Sequence, residues 1–300
     1  MKVLFVGAGK RLEMAKKFAN QFWRISSYEY ETECPIKSLP VKIIKGLKWA
    51  DPKIKEDIQK LSSNFDLVLP FQDEATKLLS ELKPSNVNFC VSDYETTNCC
   101  LNKDLFEKKF FHKDYYPRAL QNESAIIKPV RGFGSKGIQI IDCFQADDNF
   151  YTQSEYVYQR KITGGHEYSV DCYFDKKNKL IDFVPRKRIE TANGEVVKSV
   201  TVKKNDFEFE RLINDISKEL KFTGPICMQF ISDSSNKLWI MEINARFGGG
   251  ATLSIAAGFD MVNLLTKEYY EFKEIDSYYS IWESGLHLSR CFVDYYHHGN

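Results

Sequence analysis

The sequence predicts a protein of mixed α/β and α+β class, in which an open parallel sheet precedes a mainly antiparallel region. Over residues 1–93, apolar strand-like runs alternate with helix-like runs, which is the β-α-β rhythm of a parallel sheet. From Ser124 onward, short strand-like runs follow one another, a pattern typical of antiparallel pairing. We therefore predict one domain at 1–93 and a second domain at 94–300.

The elements of the first domain follow from apolar periodicity. The predicted strands are 2–6, 24–30, 41–44, 66–70 and 87–91, and the predicted helices are 10–23, 51–63 and 74–82. Asp51 is predicted as the N-cap of the second helix, with Pro52 at its first position. Ligands of open parallel sheets bind beyond the carboxyl ends of the strands, so we expect a site at that edge.

The second domain begins with a predicted helix at 102–112 that stops before Pro117. The predicted strands are 124–128, 138–141, 155–162, 167–174, 180–186 and 195–203, and a helix follows at 206–220. A strand hairpin comes next, with helices at 250–258 and 261–272 after it. The last thirty residues show no clear pattern.

Composition narrows the class of protein. A length of 300 residues exceeds one small core, and 43% apolar and 28% charged residues are ordinary for a soluble globular protein. A net charge of +1 argues against a general nucleic-acid or membrane surface, so we expect neither partner. No secretory signal and no membrane-length apolar run is visible, and the eight cysteines form no C-x-x-C pair. We therefore expect reduced thiols and a cytoplasmic location.

The most informative stretch runs from Met241 to Gly250. Glu242, Asn244 and Arg246 alternate with apolar residues, so in a strand they share one face and Met241, Ile243 and Ala245 share the other. A carboxylate beside an amide suits a hard cation, and an arginine suits a phosphate. If the hairpin is centred between Ser235 and Asn236, Gln229 lies opposite Glu242 and joins the polar face. The alternative is an amphipathic edge hairpin with a solvated face.

Two glycine-rich segments could bind phosphate. Gly7 and Gly9 follow a strand, but Leu12 stands where a dinucleotide fingerprint has its third glycine, which favours a plain turn. The loop 128–137 lies between two predicted strands, so it does not feed a helix as a P-loop does. It could be a hairpin lid whose amides point at phosphates, or a simple glycine-rich turn.

With the segments 156–162 and 164–168 placed between that loop and the hairpin, the chain resembles the ATP-grasp superfamily over almost its whole length. It looks most like the small ligases related to the carbamoyl-phosphate synthase large subunit and to the pyrrolysine-pathway ligase. The resemblance implies an N-terminal Rossmann-like (preATP-grasp) domain and an ATP-grasp domain. The latter would contain a lid subdomain at about 115–160 and a catalytic subdomain at about 161–300.

The resemblance also implies a cofactor set and site residues. ATP would be bound with Mg²⁺, for which Mn²⁺ could substitute. The implied nucleotide-binding residues are Lys103, Lys128, Gly132, Gly134, Ser135, Gly137, Gln159, Ile162 and Glu167. The implied metal ligands are Gln229, Glu242 and Asn244, and Arg246, Lys128 and Arg188 are expected to be catalytic. Gln159 stands where the family often has Glu, and Asn102 stands where an Asp usually precedes the lysine.

The implied reaction joins a small-molecule carboxylate to an amine through an acyl phosphate, with an amino acid or a similar compound as substrate. The nearest alternative is a bicarbonate-using enzyme resembling carbamoyl-phosphate synthase. More remote ones are a nicotinamide-dependent oxidoreductase and a non-catalytic nucleotide-binding protein. A homodimer is compatible with the fold.

Substrate recognition is open at two places. Arg186 and Arg188 share a strand face, where they could clamp a carboxylate or form a basic surface. Gln72, Asp73 and Glu74 follow a parallel strand, where they could bind an ammonium group or cap a helix.

Overall fold

A computed structural model describes residues 1–83, 88–132, 137–145, 155–192, 194–275, 281–291, 293–294 and 296. None of the helices in these ranges is long and apolar enough to cross a membrane. The strands are β1 (Lys2–Val6), β2 (Arg24–Glu29), β3 (Lys42–Lys45), β4 (Leu67–Pro70), β5 (Ala125–Pro129), β6 (Gln139–Ile141), β7 (Tyr156–Arg160), β8 (Glu167–Phe174), β9 (Leu180–Ala192), β10 (Glu195–Thr201), β11 (Gly224–Ser232), β12 (Leu238–Asn244) and β13 (His287–Ser289). The helices are α1 (Leu12–Ala19), α2 (Ile54–Ser62), α3 (Asp73–Leu82), α4 (Tyr94–Leu101), α5 (Lys103–Phe110), α6 (Phe209–Glu219), α7 (Ala251–Ala256) and α8 (Met261–Tyr269).

The N-terminal strands form the predicted parallel sheet, in the order β3-β2-β1-β4. Successive residues of β1 enter different cores: Val3 and Phe5 pack on one side, and Leu4 and Val6 on the other. Both faces are therefore covered, as parallel sheets require. In the predicted strand 87–91, the described residue Phe89 makes only an isolated parallel bridge to Val68, and Val87 lies outside the described residues.

Two antiparallel sheets make up most of the rest. β5 lies between β6 and β7 in a three-stranded sheet, and a six-stranded sheet has the order β12-β11-β8-β9-β10-β13. One face of the larger sheet carries Tyr168, Val170 and Cys172 of β8, which belong to a core cluster shared with α6. The opposite face carries the alternate residues of β8, including Ser169 and Asp171. This second face is polar and forms the floor of a cavity.

The structure differs from the sequence-based elements at several ends. α2 starts at Ile54 with Lys53 at its N-cap, because Asp51 accepts a hydrogen bond from the Lys53 amide at 2.9 Å in a preceding turn. The predicted helix 10–23 ends at Ala19, and Phe22 is exposed in a left-handed conformation at φ 63°. Helix α4 was not predicted. It follows Asp93, whose carboxylate accepts from the Thr96 amide at 2.7 Å.

Candidate active site

The hairpin of β11 and β12 has the predicted register at its functional end, but it reaches that register through a β-bulge. Gln229 lies opposite Glu242, whereas the next residue, Phe230, lies opposite Ile240, so Met241 is the extra residue. Leu238 and Ile240 are buried before the bulge, and Ile243 is buried after it. The bulge thus resets the alternation and turns Glu242 away from the core. The expectation that Met241 shares a face with Ile243 and Ala245 was wrong, because the bulge at Met241 breaks the alternation: Ile243 and Ala245 are buried in one core cluster, whereas Met241 is only partly buried and lies outside it.

A row of directly opposed residues continues the polar face across four strands. Glu242 pairs with Gln229, Gln229 with Ser169, and Ser169 with Arg186. Directly opposed residues project to the same face, so these four side chains lie on one side of the sheet. The sequence predicted one polar face for Gln229 and Glu242 and another for Arg186 and Arg188. It did not predict that β8 joins the hairpin to β9 and so brings these two faces together.

The three polar residues of β12 and its extension are linked by hydrogen bonds. Asn244 Nδ2 donates to Glu242 Oε1 at 3.1 Å, and Arg246 Nη2 donates to Asn244 Oδ1 at 3.0 Å. Arg246 also forms an ion pair with Asp73 of α3, with Nε donating to Asp73 Oδ1 at 2.8 Å. Asp73 therefore ties the N-terminal sheet to the hairpin motif. Its neighbour Glu74 is exposed, and Gln72 makes no side-chain cap to α3.

Arg188 lies on the same sheet face as the hairpin cluster. Its Nη1 donates to Gln229 Oε1 at 2.8 Å, and its Nε lies 3.5 Å from Glu167 Oε2. The Arg188 side chain is 9% exposed, whereas the Glu167 side chain is 56% exposed. Arg186 is more deeply buried, so the interpretation of these two arginines as a basic surface was wrong.

Lys128 is a buried lysine held by a chain of hydrogen bonds. Its Nζ donates to Gln159 Oε1 at 2.6 Å, and Gln159 Nε2 donates to the Tyr116 hydroxyl at 3.0 Å. The Tyr116 hydroxyl in turn donates to Glu107 Oε1 at 3.3 Å. Burial lowers the pKa of Lys128 to about 8, although the carboxylate of Glu242 opposes this change. Gln159 thus holds Lys128 and is not turned toward solvent.

Lys103 is a second lysine beside the cluster. It opens α5 after Asn102, whose side chain caps the helix by accepting from the amides of Asp104 and Leu105. Lys103 Nζ donates to the Gly132 carbonyl at 3.0 Å, and burial lowers the Lys103 pKa despite the nearby Glu242 and Asp73. Gly132 and Gly137 are described, but Gly134 and Ser135 of the predicted lid lie outside the described residues.

A cavity of about 240 Å³ brings most of these groups together. The predicted residues that line it are Asp73, Lys103, Gly132, Arg186, Arg188, Gln229, Glu242, Asn244 and Arg246. Lys128, Gln159, Ile162, Glu167 and Gly137 are absent from its lining. Of these, Lys128 and Glu167 interact electrostatically with the cluster, and Ile162 is half-buried after β7.

Solved structures with the same arrangement of elements include N5-carboxyaminoimidazole synthetase from Staphylococcus aureus in complex with ADP. It has a TM-score of 0.72 and 16% identity, over 92% of this chain and 78% of that one. The chain has the ATP-grasp fold. Biotin carboxylase from Campylobacter jejuni has a TM-score of 0.67 and 14% identity, over 95% of this chain and 74% of that one. L-amino acid ligase from Bacillus licheniformis has a TM-score of 0.65 and 14% identity, over 89% of this chain and 73% of that one.

A family model agrees with this ATP-grasp assignment. The family described as "ATP-grasp in the biosynthetic pathway with Ter operon" matches residues 160–284, which span β8 to α8 and include the hairpin motif. A search of curated proteins finds no match. The fold class predicted from the sequence is thereby confirmed.

The oxygen atoms of the hairpin suit the hard cation expected in an ATP-grasp site. The Glu242 carboxylate is exposed, and the carboxamides of Gln229 and Asn244 lie on the same face. Both carboxamide oxygens accept hydrogen bonds from arginines, and a cation that binds these oxygens would replace those hydrogen bonds. Among the described residues there is no group of three or more His, Cys, Asp or Glu side chains able to hold a metal. The donor set therefore consists of one carboxylate and two amides, which fits Mg²⁺ with water and phosphate oxygens as further ligands.

The glycine turn after β1 is already occupied by the chain itself. Glu29, the last residue of β2, is buried, and its Oε1 accepts from the Ala8 amide and from the Ser27 hydroxyl, both at 2.6 Å. Burial raises the pKa of Glu29, while hydrogen bonds from Ser27, Ala8 and Gly9 lower it in part. The amides that would bind a pyrophosphate thus donate to a carboxylate, which argues against the nicotinamide-dependent alternative.

Several groups of the site escaped the sequence analysis. Asp171 binds Arg186, with Arg186 Nε donating to Asp171 Oδ2 at 2.6 Å, and the period-two alternation of β8 could have revealed it. Tyr116 holds Gln159, but it belongs to an irregular segment with no local signal. Arg11 lines the cavity from the turn before α1, and only the tertiary structure brings it there.

Proposed function

We propose that this protein is an ATP-dependent ligase that joins a small-molecule carboxylate to an amine through an acyl phosphate, with an amino acid or a similar compound as substrate. The observation that carries the proposal is the hydrogen-bonded series Glu242, Asn244 and Arg246. It faces a cavity that Lys103 also lines, and it interacts electrostatically with the buried Lys128.

The reaction has two steps. A carboxylate oxygen of the substrate attacks the γ-phosphorus of ATP, the bond to the β-γ bridging oxygen breaks, and ADP leaves. The amine then attacks the carbonyl carbon of the acyl phosphate, inorganic phosphate leaves, and the nitrogen gives up a proton. Phosphoryl transfer of this kind depends mainly on positioning and on neutralising charge.

The residues divide between these tasks. Lys128 and Lys103 supply positive charge for the phosphates of ATP, and Arg246 supplies it for the transferring phosphoryl group. Gln229, Glu242 and Asn244 would hold Mg²⁺, which neutralises the phosphate oxygens when bound. Glu167 and the backbone at Ile162 would bind the ribose and the adenine. Gln159 positions Lys128, so we assign it an indirect role in nucleotide binding.

Arg188 is placed to act on the carbonyl side of the reaction. Its guanidinium bonds Gln229, one of the proposed metal ligands, and is largely shielded from solvent. A fixed positive charge there would stabilise the oxyanion that develops when the amine attacks. A homodimer and a cytoplasmic location stay predictions.

The decisive experiment is Mg²⁺-dependent release of ADP from ATP, measured with the purified protein against pairs of amino acids and against bicarbonate. ADP release that requires one acid and one amine would support the ligase. Release stimulated by bicarbonate alone would instead favour the carboxylating alternative. The absence of ATP binding in calorimetry, with the protein folded, would overturn the nucleotide-dependent function altogether.

A further inference from the structure

Two guanidinium groups border adjacent glycines in the lining of the cavity. A side chain at Gly250 would collide with Arg186 Nη1, and a Cβ at Gly249 would lie 2.5 Å from Glu195 Oε2 and 3.3 Å from Arg11 Nη1. The carbonyl of Gly249 also accepts a hydrogen bond from Arg290 Nη2. The absence of side chains at these glycines therefore leaves room for guanidinium groups against the backbone. We call Arg11, Arg186, Gly249 and Gly250 the arginine recess.

Arg186 is held rigidly, but it is not fully paired. Its Nε and Nη2 donate to the two oxygens of Asp171 at 2.6 and 3.1 Å, and Ser254 also donates to Asp171 at 2.5 Å. Its side chain is 1% exposed, yet Nη1 has no hydrogen-bond partner among the described residues. A buried donor without a partner is costly, so it marks a position where a ligand acceptor would be stabilising.

The charges around the recess do not balance. Arg11, Arg186, Arg246 and Arg290 are ion-paired with only three carboxylates, because Glu195 is shared between Arg11 at 3.5 Å and Arg290 at 3.4 Å. The other two carboxylates are Asp171 and Asp73. One formal positive charge is therefore in excess within this part of the described structure. Burial lowers the pKa of Arg11, and Arg246 and Arg290 lower it further against the effect of Glu195.

We infer that the arginine recess binds a carboxylate of the substrate, one that is not activated by ATP. The inference rests on the proposed ligase function, which assigns the transferring phosphoryl group to Arg246 and Mg²⁺ to Gln229, Glu242 and Asn244. A planar carboxylate accepts two hydrogen bonds side by side, which suits Nη1 of Arg186 and the partly exposed fork of Arg11. One of the two substrates then carries a carboxylate that does not react, and the recess selects the substrate by this group.

The test is a binding titration, so that it does not depend on finding the natural substrates. The full chain is titrated by calorimetry with acetate, glycine, succinate and inorganic phosphate, with and without Mg²⁺ and ADP. Acetamide, glycinamide and succinamide serve as uncharged partners of the carboxylates. We expect at least one carboxylate to bind saturably, and its amide to bind about tenfold more weakly or worse, because the charge-assisted hydrogen bonds are lost.

Two variants change the recess. Arg11→Gln removes a charge and leaves the buried pair of Arg186 and Asp171 in place. Gly250→Ala adds a methyl group that would overlap Arg186 Nη1, so the guanidinium group must shift to admit it. Both should weaken carboxylate binding about tenfold while the affinity for ADP stays unchanged. Arg24→Gln is the matched control, because Arg24 is an exposed arginine of the same N-terminal sheet that lies outside this cavity.

Three outcomes would overturn the inference: no carboxylate binds, the amides bind equally well, or Arg11→Gln and Gly250→Ala leave binding unchanged. Inorganic phosphate binding that is tighter than carboxylate binding and is weakened by Arg11→Gln would also reject a carboxylate site, because it would place phosphate in the recess. Failure to bind ADP has a different meaning. It would reject the proposed ligase function, and the carboxylate titration without nucleotide would still give its own answer.

Discussion

The turn at Gly7 and Gly9 and the hairpin that leads to Gly249 and Gly250 both bring glycines and polar groups to the end of a strand. In the first, Glu29 is 7% exposed and accepts hydrogen bonds from the turn itself. In the second, Glu242 is exposed and receives one hydrogen bond from Asn244. The chain supplies its own anion at one strand end and leaves the other open to a ligand.

This difference explains why glycine patterns alone are weak predictors of phosphate binding. The amides of Ala8 and Gly9 follow a strand, where a dinucleotide fingerprint would bind phosphate, but the buried carboxylate of Glu29 already uses them. The hairpin motif ends in Gly248, Gly249 and Gly250, and the two lysines beside it donate to neutral oxygens, the Gly132 carbonyl and the Gln159 carboxamide. The decisive property is the partner of each polar group in the folded chain.

The strongest test of the contrast is Glu242→Gln, which keeps the shape of the side chain and removes its charge. We expect ADP release to fall about a thousandfold, since loss of a metal ligand removes several kcal/mol of transition-state stabilisation. The thermal unfolding temperature should hardly change, because the side chain is exposed. Glu190→Gln, on an exposed residue of the same sheet, is the control, and a similar loss in that variant would contradict the assignment.

A smaller effect is expected from Asp73→Asn, which weakens the anchor of Arg246. Arg246 keeps its bond to Asn244, so kcat should fall about tenfold while the KM for ATP stays nearly constant. The neighbouring variant Glu74→Gln should behave as the wild type, because Glu74 is exposed and does not line the cavity. An equal loss of activity in both variants would show that Asp73 affects activity through the start of helix α3 and not through its ion pair with Arg246.

The open site should also respond to pH. Because burial lowers the pKa of Lys128 to about 8, free protein loses this positive charge as the pH rises through that value. The phosphates of ATP favour the charged form, so the dissociation constant for ATP should be level below about pH 8 and rise by up to about tenfold per pH unit above it. Calorimetry from pH 6 to pH 10 measures the profile.

Two variants check that Lys128 causes this profile. Lys128→Arg stays charged throughout the range, so its dissociation constant for ATP should remain level with pH. Gln159→Glu places a carboxylate against the ammonium group, raises the Lys128 pKa and should move the break to higher pH. If the dissociation constant for ATP begins to rise at the same pH in both variants as in the wild type, the titrating group is not Lys128.

The smallest effect on nucleotide binding is expected in the closed turn. Glu29→Gln leaves buried donors of the turn poorly matched, so the free energy of unfolding should fall by about 1–3 kcal/mol. Its affinity for ATP should be unchanged, which urea unfolding and calorimetry measure together. A large loss of ATP affinity in a folded Glu29→Gln variant would break the contrast between the two strand ends.

The sequence predicted those parts of the fold that depend on local periodicity. The parallel sheet and strand β8 follow from alternation. The pairing of Gln229 with Glu242 was predicted from a turn centred between Ser235 and Asn236, whereas the turn is centred on Ser235 and the bulge at Met241 restores the pairing. Helix α4 was missed because Thr, Asn and Cys are weak helix formers, although Asp93 is a good N-cap. The bulge at Met241 also had a signal, since Ile240 and Ile243 cannot both face the core in a regular strand.

The parts of the site that could not be predicted are contacts between distant segments. Asp73 meets Arg246 from a position 173 residues earlier in the chain. Arg11, from the turn before α1, meets Glu195 at the start of β10. No periodicity relates such positions, because the packing of the two sheets decides which loops approach each other. The assignment of individual site residues therefore stays a prediction until the variants above are measured.

The bulge at Met241 also decides how this motif tolerates changes in chain length. Deleting Met241 would join Ile240 to Glu242 in regular pairing, with both side chains on the faces they occupy now. Deleting Ile243 would instead turn Asn244 and Arg246 toward the core together. Met241 is thus the position where an alignment with an unbulged hairpin needs a gap, and where a shorter relative could keep the same site.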